Sequence, residues 1–250
     1  MSSKFSNRPH RGAHPADEGL FGEGEVARLR EATGHLCWLL SRGYAMRSAL
    51  KLVGDRHELR ERQRVAVSRA ACSDEQKAAR RQRCVEAERL TGEAVWIDGF
   101  NLIISIEAAL GGGVLLSCRD GSLRDMSSVH GSYRAVQETE RALEMIGGGL
   151  AELAPNSVTW LLDQPISNSG RLAQTIREMA EARGWAWTVE VVMNPDAVLA
   201  RVEGVVVSAD SAVLDRCGRW SNLSGWLVHR QIPEAMIVGL DDDRTPEAGR

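Results

Sequence analysis

The stretch Val95-Trp96-Ile97-Asp98-Gly99-Phe100-Asn101-Leu102 decides how the rest of the chain is read. Three apolar residues, two of them β-branched, run into an acid and a glycine. That pattern predicts a short buried strand ending in a tight turn. A carboxylate at the end of a buried strand is costly unless it has a partner or a metal. Two later runs end the same way. Val158-Thr159-Trp160-Leu161-Leu162 leads into Asp163, and Gly204-Val205-Val206-Val207-Ser208-Ala209 leads into Asp210. In an open α/β sheet, groups at the carboxyl ends of neighbouring strands face one crevice. The central expectation is that these acids meet there and hold a divalent metal.

Working outward, residues 93–240 alternate strand-like and helical runs, which predicts an α/β domain with a mostly parallel sheet. Helices are expected over 101–110, 133–146 (broken at Gly147-Gly148-Gly149) and 171–183, with a short one after Asn194-Pro195-Asp196. Strands are expected over 114–117, 187–193 and 205–208, with a last one over 224–228. Residues 119–125 read as a polar loop. Upstream, residues 25–92 read as an all-helical N-terminal module, with helices over about 25–42, 47–53, 57–71 and 73–90. Residues 1–24 and 241–250 have little apolar content and are expected to be a disordered and a frayed tail.

The totals narrow the class. The 250 residues carry a net charge of −3, with 43% hydrophobic and 26% charged residues, so the chain is not a polybasic nucleic-acid binder as a whole. Its five cysteines are scattered and form no CxxC pair, which argues against a zinc ribbon or disulfide framework and fits a cytoplasmic setting. The start of the chain lacks a signal-peptide core, and no stretch reads as a membrane span. Arg56, Arg60, Arg62, Arg64, Arg69, Arg80, Arg81, Arg83 and Arg89 crowd the helical module. The interleaved acids favour a solvated, salt-bridged helix pair over an RNA-docking face. The module is also the candidate face for a homo-oligomer.

The motifs together resemble a known superfamily. Asp98-Gly99-Phe100-Asn101, Pro195-Asp196-Ala197-Val198-Leu199-Ala200 and Ser208-Ala209-Asp210-Ser211 are similar, in order and approximate spacing, to the acid-bearing segments of PIN-like and NYN nucleases. The whole chain resembles an uncharacterised prokaryotic two-part family that joins a helical module to a PIN-like domain, carried upstream by Leu39-Leu40-Ser41-Arg42-Gly43-Tyr44 and Val53-Gly54-Asp55-Arg56. The resemblance implies a three-layer PIN-like fold and a metal-dependent ribonuclease acting on RNA. It makes Asp98, Asp196 and Asp210 the first-choice ligands for Mg²⁺ or Mn²⁺, ions that prefer carboxylate and water oxygens. Asp163 and Asp215 are second-choice acids, and Asn101 would orient a ligand or contact a phosphate.

Plainer readings stand beside each residue. Asp163 and Asp210 would also serve as helix caps, Asp196 suits a helix dipole, and Asp215 reads equally as an exposed helix residue. Ser167 and Ser169 precede a helix and would bind phosphate or cap it. Arg119 and Arg124 lie in a polar loop of the kind that often carries function. Glu138, Glu140, His130 and His229 read as structural. Met193-Asn194 stands where the NYN pattern has a lysine, and Ala212 where it often has a further acid. These departures favour the alternative, a catalytically inactive RNA-binding or adaptor protein.

Overall fold

In the computed structural model, which describes residues 10–127, 131 and 133–241, the expected first strand is β1, Ala94–Asp98. It is the middle strand of a five-stranded sheet. β4 (Ser157–Asp163) pairs on one side and β6 (Val205–Val207) on the other. β5 (Trp187–Val192) lies outside β4, and β7 (Trp220–Ser221) outside β6. Every pairing in this sheet is parallel, so the carboxyl ends of all its strands share one edge. The Val205-Val206-Val207 run is fully buried, as a central parallel strand requires. A second sheet of three short strands pairs β2 (Leu115–Ser117) antiparallel with β3 (Leu123–Asp125) and parallel with β8 (Ile237–Gly239).

Between the two sheets runs α6 (Gly99–Leu110), buried along almost its whole length and in contact with strands of both. It starts directly after Asp98 because residue 99 is glycine. A Cβ there would come within 2.6 Å of the Leu162 side chain and 2.9 Å of the Leu161 carbonyl oxygen. The glycine lets β1 turn into a helix against its neighbouring strand.

The helical region is α1 (Asp17–Phe21), α2 (Glu23–Leu40), α3 (Met46–Arg56), α4 (Glu61–Ala70) and α5 (Asp74–Arg83). It shares a hydrophobic core with the small sheet, where Leu29, Leu36, Val53 and Val67 meet Val114, Leu116 and Val238. Helix α5 begins on the expected capping box, with Ser73 accepting from the Gln76 amide.

Four expectations are corrected. The stretch 10–24, read as part of a disordered tail, carries α1, and Asp17 is buried there with its carboxylate paired to Arg62. Helix α7 spans Thr139–Leu153 and does not break at its glycines. Gly147 sits under Trp185, where a Cβ would approach ring atoms to 2.0 Å, so the glycine serves close packing. Residues 224–228 belong to a helix, α11 (Leu223–Gln231), capped by Asn222 and burying Leu223, Leu227 and Val228 at helical spacing. The polar loop contains β3. The remaining helices are α8 (Ser169–Arg183), α9 (Pro195–Leu199) and α10 (Ser211–Leu214). No helix among the described residues is long and apolar enough to cross a membrane.

Candidate active site

Parallel pairing dictates what gathers at the carboxyl edge. Asp98 ends β1, Asp163 ends β4, Asp196 opens α9 just after β5, and Asp210 follows β6. Together with Asp125 from β3, these aspartates line one cavity of about 630 Å³. Met46, Ser68 and Arg69 of the helical region line it too, so that region closes one side of the crevice.

Asp98 ends the middle strand of the sheet. Its Oδ2 accepts from the Ser208 hydroxyl at 2.8 Å, and Ser208 Oγ in turn accepts from the Asp210 amide at 3.0 Å. Burial pushes the Asp98 carboxyl up. The Ser208 hydrogen bond opposes this, and the charges of Asp210 and Asp196 add to it, leaving the group at about 7. Asp163 is also raised, first by burial and then by Asp196. Asp196 is raised by burial and by Asp210, against the lowering influence of Arg216, which lies 3.4 Å away. Asp98, Asp163 and Asp196 are thus each raised by burial and by a neighbouring aspartate.

Asn101 anchors the same corner. Its Oδ1 accepts from the Ala209 amide at 2.8 Å, fixing the turn between Ser208 and Asp210. Asp210 caps α10 by accepting from Ala212 and Val213, both through Oδ1, which leaves Oδ2 outside the cap. Asp163 caps nothing; the residue at the start of α8 is Asn168, whose side chain instead donates to the Tyr133 carbonyl.

The remaining candidates lie elsewhere or serve the frame. Asp215 accepts from Arg80 at 2.7 Å and from Gln76 at 2.9 Å and does not line the cavity, so it is corrected from candidate ligand to ion-pair partner. Arg119 is tied to Asp74 and to the Cys72 carbonyl, away from the crevice. Arg124 lines the cavity, but its three nitrogens donate to Ala209 O, Arg69 O and Asp120. Ser167 and Ser169 neither line the crevice nor cap α8 through their side chains. Glu138 pairs with His10, and His229 bonds the Gly225 carbonyl one turn back. His130 lies outside the described residues.

Asp125 was not singled out from the sequence. It accepts from Ser105 Oγ at 2.8 Å and from the Ser127 amide at 2.7 Å. The signal available was an acid closing Leu123-Arg124-Asp125, too short a run to read as a strand.

Hard divalent cations are held by a few carboxylates completed with water, which suits acids spread round an open crevice. The acids are not drawn into a tight cage. Among the described residues, only Glu31, His35 and His57 bring three ligand atoms within 4.8 Å of one another.

Fold and site thus define an α/β protein with an acid-lined crevice at the carboxyl edge of a parallel sheet, partly closed by a helical region. The model of a family described as a domain of unknown function, DUF5616, matches residues 87–226, which hold Asp98, Asp163, Asp196 and Asp210, and the chain belongs to that family. A second model, a protein of unknown function, DUF434, matches residues 28–83, the helical region. The uncharacterized protein MJ0935 of Methanocaldococcus jannaschii is 30% identical over 186 residues, covering 74% of this chain and 88% of that protein. No solved structure matches the chain.

Proposed function

We propose that this protein is a PIN-like, metal-dependent ribonuclease whose centre is the crevice of Asp98, Asp163, Asp196 and Asp210. The observation that carries this reading is the convergence of four carboxylates from separate strand ends on one crevice, with Asp98 raised to about 7. Such a set relieves its own repulsion by taking up a cation. Asp98, Asp196 and Asp210 would hold Mg²⁺ or Mn²⁺, which supplies Lewis-acid charge and an acidified water at a phosphodiester. Ser208 and Asn101 hold Asp98 and the Asp210 turn in register. Arg69, on the wall contributed by α4, donates to the Asp125 and Ser127 carbonyls and so holds that side of the crevice.

The test is cleavage of a mixed RNA pool with Mn²⁺ by the wild type, Asp98→Asn and Asp210→Asn. Cleavage lost in both variants with the fold intact supports the reading; unchanged cleavage in both would falsify it. A second reading, an inactive RNA-binding or adaptor protein, draws on the Asp196–Arg216 pair and the capping duty of Asp210, both of which compete with metal ligation. Salt-dependent RNA binding that ignores Mn²⁺ would favour it.

A further inference from the structure

The helical region carries a different constellation that the acid crevice does not use. Glu31 and His35 are one turn apart on α2, so they share a face. His57 follows the last residue of α3 and turns toward them, with its backbone carbonyl held by Arg28 Nη1 at 2.8 Å. His35 Nδ1 and His57 Nε2 are 2.9 Å apart, and ligand atoms of all three residues lie within 4.8 Å of one another. In a tetrahedral zinc site with bonds of about 2.0–2.1 Å, ligand atoms sit about 3.3 Å apart. Only small side-chain rotations separate the two arrangements.

Two facing imidazole nitrogens can share one proton at most, and the second ring nitrogens have no partner among the described residues. The Glu31 carboxylate has no ion pair there either, although Arg30 and Arg56 line the same cavity. The adjoining cavity presents Trp38 and Leu52, 54% and 60% exposed, beside the arginines.

We propose that Glu31, His35 and His57 form a binding site for a zinc-class divalent cation, with its fourth position open to this cavity. Two imidazoles and one carboxylate suit zinc better than magnesium, which favours an all-oxygen shell. This site is separate from the acid crevice, and the two share no lining residue.

The experiment is calorimetric titration of the metal-stripped full chain with Zn²⁺, beside His35→Ala, Glu31→Gln and Asp98→Asn. The visible spectrum of bound Co²⁺ reads the coordination geometry. Asp98→Asn should take up about one equivalent and give a tetrahedral Co²⁺ spectrum, and the wild type should take up the same equivalent in addition to any cation held by the acid crevice. His35→Ala and Glu31→Gln should bind at least about tenfold more weakly and lose that spectrum. His35 is exposed, so its loss should leave the fold standing. No uptake by the wild type overturns the proposal. So does uptake that both His35→Ala and Glu31→Gln leave unchanged, since the metal would then sit on other acids or thiols.

Discussion

Two groups of aspartates lie side by side in this protein, and their chemistry runs in opposite directions. At the junction with α5, Asp120 is buried against Arg80 and Arg124, at 2.7 and 2.6 Å, and Arg80 also binds Asp215 at 2.7 Å. Burial by itself would raise Asp120. The charge of Arg124, together with hydrogen bonds from Ser122, Arg124 and Arg80, brings it down to about 2. Asp98, by contrast, faces other carboxylates and stands near 7. The difference lies in the company: guanidinium in one place, like charge in the other. The first group joins the helical region to the sheet domain, and in the second Asp98 keeps like charges as its neighbours. They are also mechanically linked, because Arg124 Nε donates to Ala209 O and Arg80 Nη2 to Ser211 O, gripping the chain on both sides of Asp210.

The comparison is broken most severely by Asp120→Ala. Arg124 then loses its carboxylate while its guanidinium stays buried, and Arg80 keeps only Asp215. A loss of about 3–5 kcal/mol in unfolding free energy is expected. Urea denaturation would show it as a lower midpoint with an unchanged slope. A loss below about 1 kcal/mol would mean the junction is wetter than these contacts describe.

The second prediction uses pH. Asp98 is raised in the fold, so its contribution is fully present below its unfolded pKa, near 3.8, and is lost as pH rises through about 7. Wild-type stability should therefore fall between about pH 4 and 7 by up to about 4 kcal/mol, less whatever water in the open cavity screens. Asp98→Asn should flatten that decline. Asp120 has the opposite sign: its contribution is present above the unfolded value and lost as pH falls toward about 2. An unchanged slope in Asp98→Asn would show that Asp98 is not the titrating group.

A cation should undo the repulsion in the acid crevice. Mn²⁺ at one hundred times its dissociation constant adds about 2.7 kcal/mol to the wild type. In Asp98→Asn that gain should be largely absent. Equal stabilisation of both would place the metal away from Asp98 and dissolve the contrast between the two groups.

How much of this contrast was legible in the sequence follows from the range of the forces involved. Strand-end acids are local signals: Val95-Trp96-Ile97-Asp98 announces both strand and acid, and parallel topology then fixes where the acid must point. The parallel sheet and the meeting of Asp98, Asp163 and Asp210 are readable for that reason, whereas Asp196, in the first turn of α9, enters only through the resemblance to PIN-like and NYN nucleases. The Arg80–Asp120–Arg124–Asp215 cluster was not, because its members come from α5, a loop, β3 and the end of α10, and no spacing rule couples them. Helix α7 misled for a related cause. Glycine is a helix breaker by local propensity, yet the Gly147 position answers to Trp185, far along the chain. Asp215 looked like Asp210 in composition and position; only the partner across the junction distinguishes them.

Asp215→Asn is therefore the finest test. Its carboxylate is 35% exposed, and Arg80 retains Asp120 when it is neutralised. Amide replacement keeps a hydrogen-bond acceptor beside Arg80 Nε, so the cost should be about 1 kcal/mol or less. Mn²⁺ affinity should not change, since Asp215 does not line the cavity of Asp98 and Asp210. Paired calorimetry and urea melts measure both on one sample. A small stability loss with intact Mn²⁺ binding keeps Asp215 among the compensated acids. Abolished Mn²⁺ binding in a folded protein would move it to the other group, where Asp196 already combines a guanidinium neighbour, Arg216 at 3.4 Å, with a place in the crevice.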